Sequence, residues 1–254
     1  MTPVPSLLAV FAHPDDESLS AGGVLARHAS AGARTAVVTA TWAADSVRAT
    51  ELAEALRVLG AGAPRMLGYA DARVPHSAPG RPRLCDAPLD RTVGELVAHI
   101  RAFRPDVVVT HDAYGGLTGH EDHVHTHRTT LLAVHAAGLE RLYPDTGEPW
   151  RPSALYLATH PHSAVRAWAG HWAPLGKAMR TVPDDLITAA VDVTPWLDRK
   201  VAAVLAHRSE VERGAAPGLI AALPAPERER LLGTEWYIRH DPVTTLPRQT
   251  ELLS

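Results

Sequence analysis

Two short stretches of this chain hold the residue types best suited to chemistry. The first is Ala12-His13-Pro14-Asp15-Asp16-Glu17, one imidazole and three carboxylates within five residues. Nitrogen and oxygen donors in this proportion suit a divalent metal such as zinc. His13 and Asp16 are three apart, so a turn entering a helix points both the same way. Asp15 then projects elsewhere and is free to act as a base. The plainer reading of Asp15–Glu17 is as acids that satisfy a helix N-terminus and its dipole. The second stretch is Gly119-His120-Glu121-Asp122-His123-Val124-His125-Thr126-His127. On a helix His120 and His123 share a face, as do His123 and His127, while His125 points away. The H-E-x-x-H pattern of zinc peptidases would need histidine where Val124 stands, so that reading fails. Here the plainer alternative is a solvated, histidine-rich helix face.

Strand and helix signals alternate along the chain and decide between these readings. Ser6–Ala12, Arg34–Ala40, Asp106–Thr110 and Ser153–Thr159 are short apolar runs, the pattern of strands buried on both faces. Arg65–Leu67 is a shorter strand of the same kind. Helices are expected at Leu19–Ala31, from a cap at Asp45 or Ser46 to Leu59, at Leu89–Phe103 and at His120–Gly138. Gly68–Pro88, rich in Pro, Gly and Arg, reads as a long surface loop, a common form for a lid. The pattern predicts an α/β fold, a Rossmann-like doubly wound, mostly parallel sheet flanked by helices. With strand order 3-2-1-4-5, the order reverses between the first and fourth strands, and ligands bind beyond their carboxyl ends. Both motifs follow those two strands, so they meet at the lips of one crevice.

Beyond Thr159 the pattern loosens. Ile187–Val193 and Glu235–His240 read as strands and Trp196–Arg208 as an amphipathic helix. The expected division is a catalytic unit over 1–160 and a smaller α+β portion over 161–254, packed on it and forming one wall of the cleft. At 254 residues, two large independent domains are excluded. A net charge of −3 gives no reason to expect a nucleic-acid or membrane partner, and no apolar run approaches a membrane span. Cys85 is the only cysteine, which excludes an internal disulfide and a thiolate zinc knuckle. The N-terminus lacks a basic residue before its apolar stretch and reads as a strand, so a cytoplasmic location is expected. Three acids after the first strand would repel a pyrophosphate, and Gly22-Gly23 do not form G-x-G-x-x-G, which disfavours dinucleotide binding.

A-H-P-D-D-E after the first strand, with G-H-x-D-H after the fourth, resembles the LmbE-like (PIG-L) family of zinc-dependent N-deacetylases. Arg48-x-x-Glu51, Arg104-Pro105-Asp106-Val107-Val108-Val109-Thr110, Asp192-Val193, Lys200 and His207-Arg208-Ser209 extend the likeness over most of residues 6–210. The closest look is to the actinobacterial branch that deacetylates the N-acetylglucosaminyl-inositol precursor of mycothiol or cleaves mycothiol conjugates. The resemblance implies His13, Asp16 and His123 as metal ligands, Asp15 as general base and His120 as acid or oxyanion stabiliser. It implies Asp122 as a partner that orients a histidine, and Arg48 as a substrate contact. Asp112, Tyr114 and His160 are further candidates for touching substrate. The implied cofactor is one Zn2+ per chain, with Fe2+ an alternative in vivo, and the implied partner is a small N-acylated sugar. Two imidazoles and a carboxylate leave zinc a fourth position for water, as an open catalytic site requires. A protonated His120 would stabilise the developing oxyanion and then protonate the leaving amine.

The chain departs from the mycothiol pattern D-P-x-G-G-Y-G-H. Asp112–His120 is one residue longer, with Leu117-Thr118 where a tyrosine stands in that pattern, so either Tyr114 swings in or His120 and the metal act without it. Glu210 replaces the glutamine common after H-x-S. A mycothiol S-conjugate amidase and an N-deacylase tailoring a secondary metabolite are alternatives within the class. Outside it stand a metal-dependent phosphoesterase, which wants more carboxylates, and an inactive sugar-binding relative. His207 is expected to cap the carbonyls of its helix.

Overall fold

A computed structural model of the chain describes residues 4–166 and 179–241. Leu7–Phe11 (β1), Thr35–Thr41 (β2), Arg65–Tyr69 (β3), Val107–His111 (β4) and Ala154–Thr159 (β5) pair in parallel in the order β3-β2-β1-β4-β5. β1 and β2 are buried along their whole lengths, as continuous apolar runs require. Alternate residues of β1 feed opposite cores. Leu7, Ala9 and Phe11 pack on one side against helices α1 (Asp16–Ser30) and α2 (Val47–Leu59). Leu8 and Val10 pack on the other against α3 (Leu89–Phe103) and α4 (Glu121–Ala137).

The expected reversal of strand order therefore lies between β1 and β4, and the loops after both strands open at one edge of the sheet. Ser46 caps α2 by accepting from the Ala49 amide at 3.2 Å. α1 begins at Asp16, earlier than the expected Leu19, because the acids of its first turn suit the helix N-terminus. The loop over 68–88 is pinned and not free. Its Ala70 and Arg83 form a bridge, and Arg81 donates to the carbonyls of Leu67 and Gly68 at 3.1 and 3.2 Å.

After β5 come a short helix α5 (His162–Arg166), strand β6 (Ala189–Asp192) and helices α6 (Leu197–Ala206), α7 (Arg208–Glu212), α8 (Ala216–Ala222) and α9 (Ala225–Leu232). Strand β7 (Thr234–Arg239) then joins β5 antiparallel, with β6 antiparallel outside it, so the sheet is mixed, with seven strands among the described residues. No helix among the described residues is long and apolar enough to cross a membrane.

Gly22-Gly23 acquire a packing explanation. The Glu235 carboxylate enters α1 there and accepts from the Gly23 and Val24 amides at 2.8 and 3.0 Å. A Cβ on Gly23 would overlap the side chain of Val193. Glu235 also accepts from Lys200 Nζ at 2.7 Å and from the Tyr237 hydroxyl at 2.8 Å, and Lys200 donates to the Leu232 carbonyl at 3.2 Å. Lys200 and Glu235 are 1% and 3% exposed. Removing one member of such a pair strands the other charge. Lys200→Met is therefore expected to destabilise the fold by about 3–5 kcal/mol. Calorimetry should show this as a fall in Tm on the order of 10 °C.

Candidate active site

The crevice edge collects side chains from four strand ends. His13, Asp15 and Asp16 follow β1, and Asp71 follows β3. His111 closes β4, and His120 and His123 open α4. All line one cleft of about 1020 Å³. Residues after β5 complete it: His160, Ser209, Glu210, Ile220 and Leu231 lie along its far wall.

Neighbours fix which ring nitrogen of each histidine is free. His123 Nδ1 donates to the Gly115 carbonyl at 3.0 Å, leaving Nε2 with its lone pair turned inward. This contact needs glycine at 115, where φ is +76° and a Cβ would meet Val124, His120 and His123 atoms at 2.9–3.2 Å. His13 Nε2 faces the carboxylates of Asp122 and Asp71 at 3.2 and 3.4 Å and so carries the proton. His13 Nδ1 is then the acceptor. It lies 3.1 Å from His123 Nε2 and 3.3 Å from Asp16 Oδ2, and His123 Nε2 is 3.3 Å from the same Asp16 oxygen.

Three acceptor atoms thus form a nearly equilateral triangle. A tetrahedral zinc-type ion with bonds of about 2.0–2.1 Å wants neighbouring ligand atoms about 3.3–3.4 Å apart. The donor set fits such an ion. Other groupings of ligand atoms occur within 4.8 Å, among them His13-Asp71-His120-Asp122 and Asp16-His111-His123. Each spends a needed lone pair elsewhere. His111 Nε2 accepts from the Ala12 amide at 3.2 Å, and His120 Nδ1 accepts from the Asp122 amide at 3.2 Å as the cap of α4.

The electrostatics favour positive charge at the triangle. Burial alone would raise Asp16, but His123 and His111 beside it hold it well below the usual carboxylate range. Burial opposes protonation of His13, yet Asp122, Asp16 and Asp71 outweigh it and raise it to about 10, so a cation would take the Nδ1 lone pair by displacing a proton from it. Two residues not singled out in the sequence, Asp71 and His111, complete this arrangement. His111 stacks on His123 with ring centroids 4.0 Å apart, fixing that ring's plane.

Asp15 stands apart from the triangle. Burial pushes it up to about 6, against the pull of the Arg48 guanidinium 3.2 Å away. Its backbone has φ of +130°, a conformation that costs roughly 1–3 kcal/mol in a non-glycine residue. Arg48 is itself buried. It stacks over Trp42 at 4.8 Å, donates to the Pro14 carbonyl and reaches Glu210 at 3.4 Å. Burial and the neighbouring His13 and His123 lower His120 to about 4. This direction favours a neutral ring, with the proton at Nε2 because Nδ1 accepts from the Asp122 amide as the helix cap.

Asp122 is fully buried, with Oδ2 shared between His13 and the Ala72 amide at 2.8 Å. His160 lines the cleft, and burial lowers it to about 3. Two candidates are not brought to the cleft. Asp112 turns inward, accepting from the Thr159 hydroxyl at 2.5 Å and the Gly116 amide at 2.9 Å. Tyr114 is 50% exposed, away from the cleft lining. His207 ends its helix with its backbone amide donating to the Val204 carbonyl at 3.3 Å, while its side chain turns away from the helix carbonyls. It is wholly buried, with Nε2 2.8 Å from Glu17 Oε1.

A Rossmann-like sheet with an imidazole–carboxylate pocket at its switch point, where a nucleotide fold has a phosphate loop, defines an α/β enzyme with an open metal-type centre. The PIG-L family, GlcNAc-PI de-N-acetylase, matches residues 8–134, and the chain belongs to that family. It is 42% identical over 261 aligned positions to the 1D-myo-inositol 2-acetamido-2-deoxy-alpha-D-glucopyranoside deacetylase of Mycobacterium leprae, covering 84% of this chain and 83% of the relative. To the enzyme of the same name from Rhodococcus jostii it is 38% identical over 239 positions, 81% of each chain. A conserved protein of Thermus thermophilus superposes with TM-score 0.67 at 26% identity, covering 97% of this chain and 100% of that one. N,N'-diacetylchitobiose deacetylase from Pyrococcus horikoshii shares the fold at TM-score 0.64 and 19% identity, over 94% of this chain and 84% of that one.

Proposed function

We propose that this chain removes the acetyl group from an N-acetylated amino sugar, N-acetylglucosaminyl-inositol in the first instance, by metal-assisted attack of water on the amide. The observation that carries this reading is the triangle of His13 Nδ1, Asp16 Oδ2 and His123 Nε2 beside an unliganded, raised Asp15. The relatives named for that deacetylation support the substrate.

His13, Asp16 and His123 would hold the ion, Zn2+ by donor type with Fe2+ compatible. When bound, such an ion acidifies water and polarises a carbonyl oxygen. Asp15 accepts the proton of the attacking water, its carboxylate held in place by Arg48. His120 donates its Nε2 proton as a hydrogen bond to the developing oxyanion, a role a neutral imidazole fills. The proton held by Asp15 then passes to the leaving amine. Tyr114 takes no part, since it faces solvent. Arg48 and Glu210, paired across the cleft at 3.4 Å, offer donors and an acceptor to sugar hydroxyls.

Because the base must be ionised, activity should be lost as pH falls through the Asp15 value. The acid limb of kcat/KM is expected at or below about pH 6, since a bound dication can only lower it. A limb well above pH 7 would remove Asp15 from this role. The substrate is tested by incubating the metal-loaded protein with N-acetylglucosaminyl-inositol, simple N-acetyl sugars, a mycothiol-type conjugate and a phosphate monoester. Free amine from the first above the others is expected. Phosphate release without amine release would favour a phosphoesterase.

A further inference from the structure

Two sequence features find no use in the chemistry above: Glu17, the last acid of the first motif, and the distant His207-Arg208-Ser209. The structure joins them. Ser209 donates its amide and hydroxyl to the two oxygens of Glu51, at 2.8 and 2.6 Å, tying the junction of α6 and α7 to α2. This clamp sets His207, whose Nε2 lies 2.8 Å from Glu17 Oε1. Both side chains are fully buried. The Ser18 hydroxyl donates to the same Oε1 at 2.6 Å. The other oxygen, Oε2, accepts from the backbone amide of Asp15 at 2.9 Å.

That amide belongs to the residue held at φ +130°. Nothing in the covalent chain favours this conformation for aspartate, so surrounding groups must impose it. The Glu17 carboxylate acts at the right atom. Its orientation is fixed by His207 and Ser18, leaving Oε2 one direction in which to accept.

We propose that Glu17 and His207 are positioning residues that act through the Asp15 backbone, holding its carboxylate beside the metal triangle in place of a relaxed turn. This rests on the deacetylase reading with Asp15 as base. It goes beyond that reading by assigning the last acid of the first motif and the His207–Ser209 segment one mechanical task. The chain of contacts runs Glu51, Ser209, His207, Glu17, Asp15, and links groups 190 residues apart.

His207→Ala should lower kcat about 10- to 100-fold, with KM and bound metal within about twofold of wild type. His207→Gln, which keeps an N–H donor toward Glu17, should recover most of the loss. Combined with Asp15→Asn, His207→Ala should lower kcat no further, because the residue it positions is already disabled. Glu17→Met, similar in size but with no oxygen to accept from the Asp15 amide, should repeat the effect if His207→Ala does not fold. A crystal structure of either variant should show Asp15 relaxed to negative φ. Unchanged kcat, an equal loss in the Asp15→Asn background, or an Asp15 still at positive φ would overturn the proposal. An inactive wild-type protein would instead count against the deacetylase reading, and the φ of Asp15 would still decide the positioning role.

Discussion

Asp15→Asn is expected to reduce kcat by about 10²–10⁴-fold while bound metal stays at the wild-type level. The substitution suits the site sterically. Asparagine has the same shape, and it tolerates positive φ better than most residues, so the +130° backbone imposes little new strain. The amide cannot take a proton from water. It also loses the ion pair with Arg48, but that guanidinium keeps Glu210 and the Pro14 carbonyl. The fold should therefore survive, and metal analysis beside steady-state kinetics separates the two roles. Retained turnover would exclude Asp15 as base, and lost metal would make it a ligand.

His123→Ala should act on the opposite quantity. It removes one corner of the acceptor triangle and the contact to Gly115, leaving His13 and Asp16 as a two-point site. Bound metal should fall far below one equivalent. Amide hydrolysis should drop roughly a thousandfold or more, since several kcal/mol of transition-state stabilisation leave with the ion. His111 does not substitute for it, because its Nε2 lone pair is engaged by the Ala12 amide. Full metal content in this variant would shift the ion to His13, Asp71, His120 and Asp122, a close grouping of donors that does not include His123.

The sheet and the meeting of the two motifs were legible because their causes are local. A fully apolar run as short as Leu7–Phe11 suits a strand buried on both faces better than a helix, and the parallel order places the ends of β1 and β4 side by side. His13 and Asp16 converge through a single turn, and His120 and His123 through one turn of helix. Asp71 gave no such signal. It sits in a loop without periodicity and reaches the site through the Ala70–Arg83 bridge and a Ser77 hydroxyl that accepts its amide at 2.9 Å. The one cue was an acid two residues past the end of β3, at the same sheet edge.

His111 was hidden as the last residue of a strand, although its ring stacks on His123. Asp112 and Tyr114 are suggested only by the motif resemblance, with no periodicity or spacing that would turn them to the cleft. The Asp112 carboxylate proves to be engaged by Thr159 and Gly116, bracing the loop that carries Gly115. The Glu17–His207 contact had no sequence signal, since partners 190 residues apart are joined only by tertiary packing. The antiparallel addition of β7 and β6 likewise depends on how α6–α9 return the chain to the sheet edge.

On the proposed reading, one ion held by His13, Asp16 and His123 makes this cleft an amide hydrolase. The most direct measurement is amine release from N-acetylglucosaminyl-inositol by chelator-stripped protein titrated with Zn2+ or Fe2+. Activity should be absent at the start, rise in proportion to bound metal and level off at one equivalent per chain. Undiminished hydrolysis by the metal-free protein would exclude an ion from the reaction.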